Sequence, residues 1–397
     1  MDHLPNVNVG ILLAERLTVV FHSEYVQGGN TFVGEHEYDV SAAGMTFVPV
    51  AEDASFTLKD VVIGIGFHWE RKEEQTFRGA LKLVEEDGML RAVNVLPVET
   101  YLTSVISSEM SANASIELLK AHAVISRSWL MRILTGRYSR GEDVAGVEKC
   151  EEESRVVRWY DNEAHTLFDV CADDHCQRYQ GITRQTNPNV VEAIRQTSGE
   201  VLMYDGEICD ARFSKCCGGM MEQFEYCWQN VHYPYLLAKP DPYCNTRDGR
   251  ILSQVLNNYD QETADFYRWE VRYSVEEISE LVARKSGIDF GRITDLVPVQ
   301  RGPSGRLVLL KIVGEKRTVT VGKELEIRKW LSESHLYSSA FDVEKTSDGF
   351  TLKGKGWGHG VGLCQIGAAV MGDMGISYRD ILMHYYPNAQ ILLIPNS

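Results

Sequence analysis

Short apolar runs rich in β-branched residues recur along the first 95 residues, set apart by polar turns. Val7 to Leu12, Leu17 to Phe21, Met45 to Val50, Val61 to Phe67, Ala80 to Val84 and Leu90 to Val95 each predict a strand. Gly28-Gly29 and Asp87-Gly88 stand between runs as turn pairs, because hairpin turns need residues that tolerate positive φ. A β-rich N-terminal region over 1–75 is therefore expected.

From Val98 the period changes. Ile116, Leu119, Ala123, Leu130 and Ile133 recur at helical spacing and predict one buried stripe, with Asn113 or Ser115 as N-cap. Glu109 and Met110 fall just before this helix, on a bend after a shorter one. A carboxylate there would be fixed by two helices, with backbone N–H groups at a helix start to hold it. Residues 140–165, including Glu151-Glu152-Glu153, read as a charged, irregular excursion into solvent. From His165 to about Trp228, short β runs alternate with cysteines. Ser274-Val275-Glu276-Glu277 is a capping box opening a helix through Arg284. Strand-like segments follow at Asp295 to Gln300, Arg306 to Val313 and Arg317 to Val321. Ser377-Tyr378-Arg379-Asp380 opens a last short helix with Ile381, Leu382 and Tyr385 inward. The expected class is α+β, without internal repeats.

At 397 residues, 44% hydrophobic and 24% charged, the chain is an ordinary globular one, long enough for two or three domains or one large core with insertions. A net charge of −16 argues against a nucleic-acid partner, since no basic stripe can neutralise phosphates. It disfavours anionic lipid and teichoic acid as well, and is compatible with a neutral or zwitterionic polysaccharide. No apolar run reaches the ~20 residues that cross a bilayer. Met1-Asp2-His3-Leu4-Pro5 shows neither a basic nor an apolar leader region, so no signal peptide is visible.

Nine cysteines sit at 150, 171, 176, 209, 216, 217, 227, 244 and 364, and the odd total precludes complete intramolecular pairing. Their clustering suits metal binding or a local disulfide patch. His165-x5-Cys171-x4-Cys176, with His175 adjacent, offers the imidazole and thiolate donors that zinc takes in a tetrahedral shell. A Cys171–Cys176 disulfide or buried free thiols is the competing reading.

Gly356-Trp357-Gly358-His359-Gly360-Val361-Gly362-Leu363-Cys364-Gln365-Ile366-Gly367 sets one imidazole among five glycines. Such a run occurs where a chain bends sharply or approaches another surface closely. It presents His359 on nearly bare backbone, or is a tight turn with a chance histidine. No Gly-Lys-Ser/Thr follows, so it is not a phosphate loop. Far upstream, Leu96-Pro97-Val98-Glu99-Thr100-Tyr101-Leu102 leads into Val105-Ile106-Ser107-Ser108-Glu109-Met110 and then Leu119-Lys120-Ala121-His122-Ala123-Val124-Ile125-Ser126-Arg127. Together these segments resemble the SpoIID/LytB family of bacterial cell-wall proteins. That family has a Leu-Pro-Leu-Glu-x-Tyr-Leu segment, an Ala-Glu-Met core, a Lys-Ala-Gln-Ala-Val-Ala-Ala-Arg helix, a Gly-His-Gly-Val-Gly-Met-Ser-Gln run and a His-Tyr-Tyr ending, here His384-Tyr385-Tyr386. The likeness runs from about Phe77 to Ile394. It implies one SpoIID/LytB-like domain over 76–397, with a central substrate cleft, next to the β-rich N-terminal region.

Glu109 is the catalytic candidate. Glycosidic cleavage needs a proton delivered to the leaving oxygen, and an apolar wall from Ile106 and Met110 would suit a carboxyl group to that task. From the residues alone, an exposed helix-end glutamate is the favoured reading. The resemblance decides for catalysis, because the family's proposed acid/base is the Glu of the Ala-Glu-Met core; Ser108 and Ser111 replace its Ala and a following Pro. It implies a peptidoglycan lytic transglycosylase that forms 1,6-anhydro ends on glycan strands. The alternative is a non-catalytic wall-binding protein that stimulates a cell-wall amidase. Tyr101, His359 and Gln365 would line the cleft. Lys120 and Arg127, seven residues apart on one helix, would hold Glu109 or a sugar carboxylate, or face water. Phe213-Ser214-Lys215-Cys216-Cys217-Gly218-Gly219-Met220-Met221-Glu222 resembles the family's Ser-Thr-x-Gly-Gly-x-x-Glu segment, with Gly218 and Gly219 admitting substrate or forming a turn. A branch of the family has a His…Cys…Cys metal set that His165, Cys171 and Cys176 match in order, implying bound zinc with His175 or water as fourth ligand. Cys364 stands where relatives have Ser. The substrate implies the cell envelope as location.

Overall fold

The computed structural model describes residues 4–63, 71–111, 114–136, 141–160, 165–173, 176–183, 188–255 and 265–394. Asn113, His175 and the part of the expected Val61 to Phe67 strand beyond Ile63 lie outside them. The fold is α+β, and the chain forms two compact units, one of residues 1–137, 162–201 and 392–397, the other of 138–161 and 202–391.

Strands dominate the first unit. They are β1 (Asn6–Ala14), β2 (Arg16–Gln27), β3 (Asn30–Asp39), β4 (Thr46–Pro49), β5 (Ser55–Ile63), β6 (Arg71–Arg78), β7 (Ala80–Glu86) and β8 (Met89–Pro97). The sheet runs β1-β8-β7-β4-β2-β5-β6, with β3 paired to β2 and the short strand Val170–Cys171 parallel to β1. Both expected glycine turns are present: Gly28 and Gly29 close β2 onto β3, and Asp87-Gly88 closes β7 onto β8, all at positive φ. β3 and β6 escape the sequence reading because they are half-exposed and crowded with charge. The boundary expected at residue 75 falls inside β6, and the sheet continues through β7 and β8, so the packing does not break there.

Helix α1 (Val98–Glu109) follows β8 directly, and α2 (Ile116–Thr135) opens on Ser115, whose side chain accepts from the Leu118 N–H. Apart from Lys120, α2 is buried from Leu118 to Met131, so its other polar residues must find partners inside the unit. α3 (Pro188–Gln196) corrects the expectation of short β runs in this stretch; Val190, Ala193 and Ile194 bury one face at helical spacing. Phe77 of β6, Tyr179 and Tyr101 of α1 form a ring stack, with centroids 5.8 and 5.1 Å apart, that ties α1 to the sheet.

The second unit holds a five-stranded sheet in the order Cys150–Glu152, Arg155–Val157, Thr318–Gly322, Leu307–Gly314, Ile293–Arg301. The supposed excursion at 140–165 thus contributes a hairpin to it. Glu151, Glu152 and Glu153 face water, but Val156 and Val157 are buried. A second sheet joins Arg268–Ser274, Gly349–Lys355 and Phe341–Lys345. Helices α4 (Gly249–Val255), α5 (Val275–Ser286), α6 (Glu324–Trp330), α7 (Gln365–Asp373) and α8 (Tyr378–Tyr385) complete the unit. The capping box of α5 forms as read, Ser274 and Glu277 each bonding the other's backbone. α8 is capped by Ser377 and buries Ile381, Leu382 and Tyr385. α5, α6 and both sheets share a core through Ile278, Val282, Trp330, Leu310 and Phe350.

Candidate functional site

Glu109 is the last residue of α1 and half-buried, between the fully covered Ile106 and Met110. Its Oε1 accepts from the backbone N–H of Arg178 at 3.4 Å. The holding group is therefore a loop amide and not the start of α2. That loop begins at the His-Cys-Cys set. His165 Nε2, Cys171 Sγ and Cys176 Sγ all lie within 4.8 Å of one another, and the Cys176 Sγ to His165 Nε2 distance is 3.5 Å. The Cys171 N–H points at Cys176 Sγ, 3.4 Å away. All nine cysteines are unbridged. One imidazole and two thiols converging at this separation are a donor set that zinc accepts, since a tetrahedral zinc shell has edges of about 3.3–3.8 Å.

Tyr101 lies between the two features. Burial raises its pKa most, and the neighbouring Cys176, Cys171, Tyr179 and Glu109 add to the rise. Its side chain is wholly covered, so it braces the loop instead of touching a ligand. Beside the loop is a recess lined mainly by apolar surface, including Val61, Val62 and Ile63, with Arg91, Asp173 and Arg178 as its polar residues. Its few polar residues offer hydrogen-bond donors and acceptors within an otherwise apolar wall.

Lys120 and Arg127 do not share a task. Lys120 pairs with Glu117 on its own helix at 3.0 Å. Arg127 is fully buried and grips Glu99 through two nitrogens, at 3.1 and 2.7 Å, while a third bonds the Glu200 carbonyl. Glu99 also accepts from Ser198 and the Gly199 N–H. Arg127 thereby pins α1 and α2 to the turn after α3. Being out of solvent reach, it is not a substrate ligand.

Glu109 is carried by the first unit; His359, Gln365, Gly218 and Gly219 are carried by the second. There the glycine loop lies against residues 213–222. Cys216 and Trp357 exchange backbone hydrogen bonds of 3.0 and 2.7 Å, and the Glu222 N–H bonds the Gly360 carbonyl at 2.9 Å. Gly218 has φ +78°, and a Cβ on it would stand 2.7 Å from the Gly356 nitrogen. Its glycine is demanded by the chain's own backbone, which favours the turn reading. His359 Nδ1 accepts from the Val361 N–H at 3.0 Å, and the ring lies edge-on to Trp228. Burial first, then Arg212, Arg306 and Arg328, hold its pKa well below the usual imidazole range, so it is neutral at pH 7. Gln365 is buried as the first residue of α7.

The residue that organises this loop is Arg306, which sequence reading passes over. It is 1% exposed, and its guanidinium bonds the Gly358 carbonyl at 3.1 Å, the Cys217 carbonyl at 3.3 Å and Ser304 Oγ at 3.1 Å. Ser304 in turn donates to the buried Glu222 at 2.6 Å. A lone Arg ahead of a strand carries no pattern that would flag it. Arg178 is missed for a different reason, since it acts through its backbone.

An α+β protein with a loop-held carboxylate beside a His-Cys-Cys set, and with a separately clamped Gly-His-Gly loop, is the class that these features define. Residues 86–204 match the family described as Stage II sporulation protein (SpoIID), and residues 222–362 match a domain of unknown function (DUF8618). An uncharacterized protein of Brachyspira hyodysenteriae is 28% identical over 316 residues, covering 80% of this chain and 72% of its own length. Stage II sporulation protein D of Bacillus amyloliquefaciens is 26% identical over 302 residues, covering 76% and 75%. The amidase enhancer of Bacillus subtilis is 26% identical over 321 residues, covering 73% of this chain and 40% of its own length. These matches support a SpoIID/LytB family assignment for the chain.

Proposed function

We propose that this protein acts on the bacterial cell wall as a peptidoglycan lytic transglycosylase, with Glu109 as general acid/base. The observation that carries the reading is the 3.4 Å hydrogen bond from the Arg178 N–H to Glu109, two residues beyond Cys176. It aims one carboxyl oxygen at the loop and leaves the other, on a half-exposed side chain, for a substrate. In the proposed reaction the protonated Glu109 gives its proton to the bridging oxygen between two sugars. The resulting carboxylate then takes the proton of the sugar's own 6-hydroxyl as that oxygen attacks the anomeric carbon. The ring closes to a 1,6-anhydro end, and no second carboxylate nucleophile is needed. His165, Cys171 and Cys176 would hold a zinc ion whose role is to close the loop that carries Arg178. The recess beside the loop, apolar along Val61, Val62 and Ile63 and polar at Arg91, Asp173 and Arg178, suits the apolar face and the hydroxyl groups of a sugar ring. Such a substrate places the protein outside the cytoplasmic membrane; among the described residues no helix is long and apolar enough to cross one.

A second reading is favoured by the likeness to the amidase enhancer: a wall-binding protein that stimulates an N-acetylmuramoyl-L-alanine amidase without cutting glycan. Mass spectrometry of glycan strands after incubation with the full chain separates the two. Anhydro-muramic ends, one water lighter than reducing ends, are expected. Reducing ends would make it a hydrolase, and uncut strands together with faster turnover of an added amidase would establish the second reading.

A further inference from the structure

A second set of metal-type donors lies inside the second unit, apart from the His165 loop. Cys217, Asp241, Cys244 and Cys364 bring three sulfurs and one carboxylate oxygen within 4.8 Å of one another, and all four residues are at most 1% exposed. Cys217 Sγ is 3.5 Å from Cys244 Sγ and 3.1 Å from Asp241 Oδ2. Three distant parts of the chain converge here. Cys217 follows the strand Phe213–Ser214, Asp241 and Cys244 share one turn, and Cys364 caps α7. The backbone is shaped to the group: a Cβ on Gly367 would stand 2.7 Å from Asp241 Oδ2.

The geometry points to a structural zinc site made by Cys217, Asp241, Cys244 and Cys364. Chemistry and count both select zinc. With zinc–sulfur bonds of about 2.3 Å, a tetrahedron has edges of about 3.8 Å between sulfurs, and the observed 3.5 Å separation is close to that. Four protein donors and no exposed face describe a closed, non-catalytic site. Soft thiolates exclude calcium and magnesium, which take oxygen shells. The mutual spacing encloses a single ion.

A disulfide is the competing use of the same thiols, and Asp241 argues against it. The carboxylate is sealed from solvent, where an anion is costly unless a cation or several donors meet it. Tyr385 Oη at 3.3 Å and the Tyr243 N–H at 3.1 Å are its neutral partners, with His384 Nε2 3.8 Å away. Joining two sulfurs would leave the other thiols, Cys216 among them, and this carboxylate beside an uncharged bridge. A divalent ion uses all four. Backbone amides already aim at one of the sulfurs, as they do at metal-bound thiolates: the N–H groups of Cys217 and Gly367 point at Cys364 Sγ from 3.3 and 3.4 Å. The site would lock the segment before Gly218 to α7, and thereby set the glycine loop's two anchors.

The test uses the full chain, purified from zinc-supplemented medium without chelator and analysed for metals. The pair Cys171→Ser with Cys176→Ser, which dismantles the His165 set, should retain one zinc per chain. The pair Cys244→Ser with Cys364→Ser should lose one zinc relative to the unmutated protein. Because the two pairs are read separately, loss of either assignment leaves the other standing. X-ray absorption on the unmutated chain needs no variant to fold. Its averaged zinc shell should contain more sulfur than the two thiolates of the His165 set can supply. Zinc content unchanged by Cys244→Ser with Cys364→Ser in folded protein, iron in place of zinc, or an intact mass showing a bridge among Cys217, Cys244 and Cys364 would overturn the assignment.

Discussion

Glu109 is set by neighbours that act through burial and through backbone: Ile106 and Met110 beside it, and the Arg178 amide against one oxygen. Its position at the end of a short helix was readable in the sequence, while its hydrogen-bond partner was not. A backbone donor leaves no trace in residue type. His335 gives the residue scale a measurable prediction. Burial chiefly, with Arg328, Lys329 and Lys285 around it, lowers its pKa from 6.5 to about 4. The folded protein therefore binds fewer protons here than the unfolded chain does. The stability this neutral imidazole contributes is complete above pH 6.5 and is lost as pH falls toward 4. Thermal melts of wild type and His335→Gln from pH 7.5 to 4.5 should show the wild-type advantage shrinking with acidification. An advantage that grows on acidification would contradict this sign.

Among the elements, the two loops differ in what fixes them. The glycine loop depends on Arg306, whose planar fork meets two carbonyls and Ser304 at once. Arg306→Met should destabilise the protein by about 3–5 kcal/mol, the usual result of leaving a buried charge, here Glu222, without its countercharge. Amide exchange should quicken at 356–362. Arg306→Lys should rescue little, because a point charge cannot reproduce the fork. The loop from His165 to Gln180 depends on its donor set instead. If zinc closes it, chelation should speed exchange at Arg178 and Tyr179 and leave β7 and β8 unchanged. Unaltered exchange at Arg178 after complete metal removal would dissociate the ion from Glu109. Much of the element order was legible. The strands with β-branched runs, the α5 capping box and the Ser377 cap all follow from local pattern. β3 and β6 were not, because charge on their exposed faces hides their role in the sheet. α3 could have been found from Val190, Ala193 and Ile194, whose helical spacing was masked by the cysteine-rich surroundings.

At the scale of the whole molecule, the fold shows what pattern reading cannot: which distant segments meet. The string Cys216-Cys217 and the Cys at 364 look like departures from family motifs in sequence, yet Cys217 and Cys364 belong to one buried cluster with Cys244. Arg127, read from its spacing as holding Glu109 or a sugar carboxylate or as facing water, is a buried clamp on Glu99. The net charge of −16 fits a neutral glycan partner better than an anionic polymer, a whole-molecule property that no single site reveals. The central claim is that Glu109 delivers the proton that breaks the glycosidic bond. Its most direct test is Glu109→Gln, assayed for release of anhydro-muramic ends from purified glycan strands alongside a measurement of strand binding. The variant should lose at least ~10²-fold in turnover, the scale of general acid/base catalysis, with binding retained. Undiminished release of anhydro ends by Glu109→Gln would contradict the account.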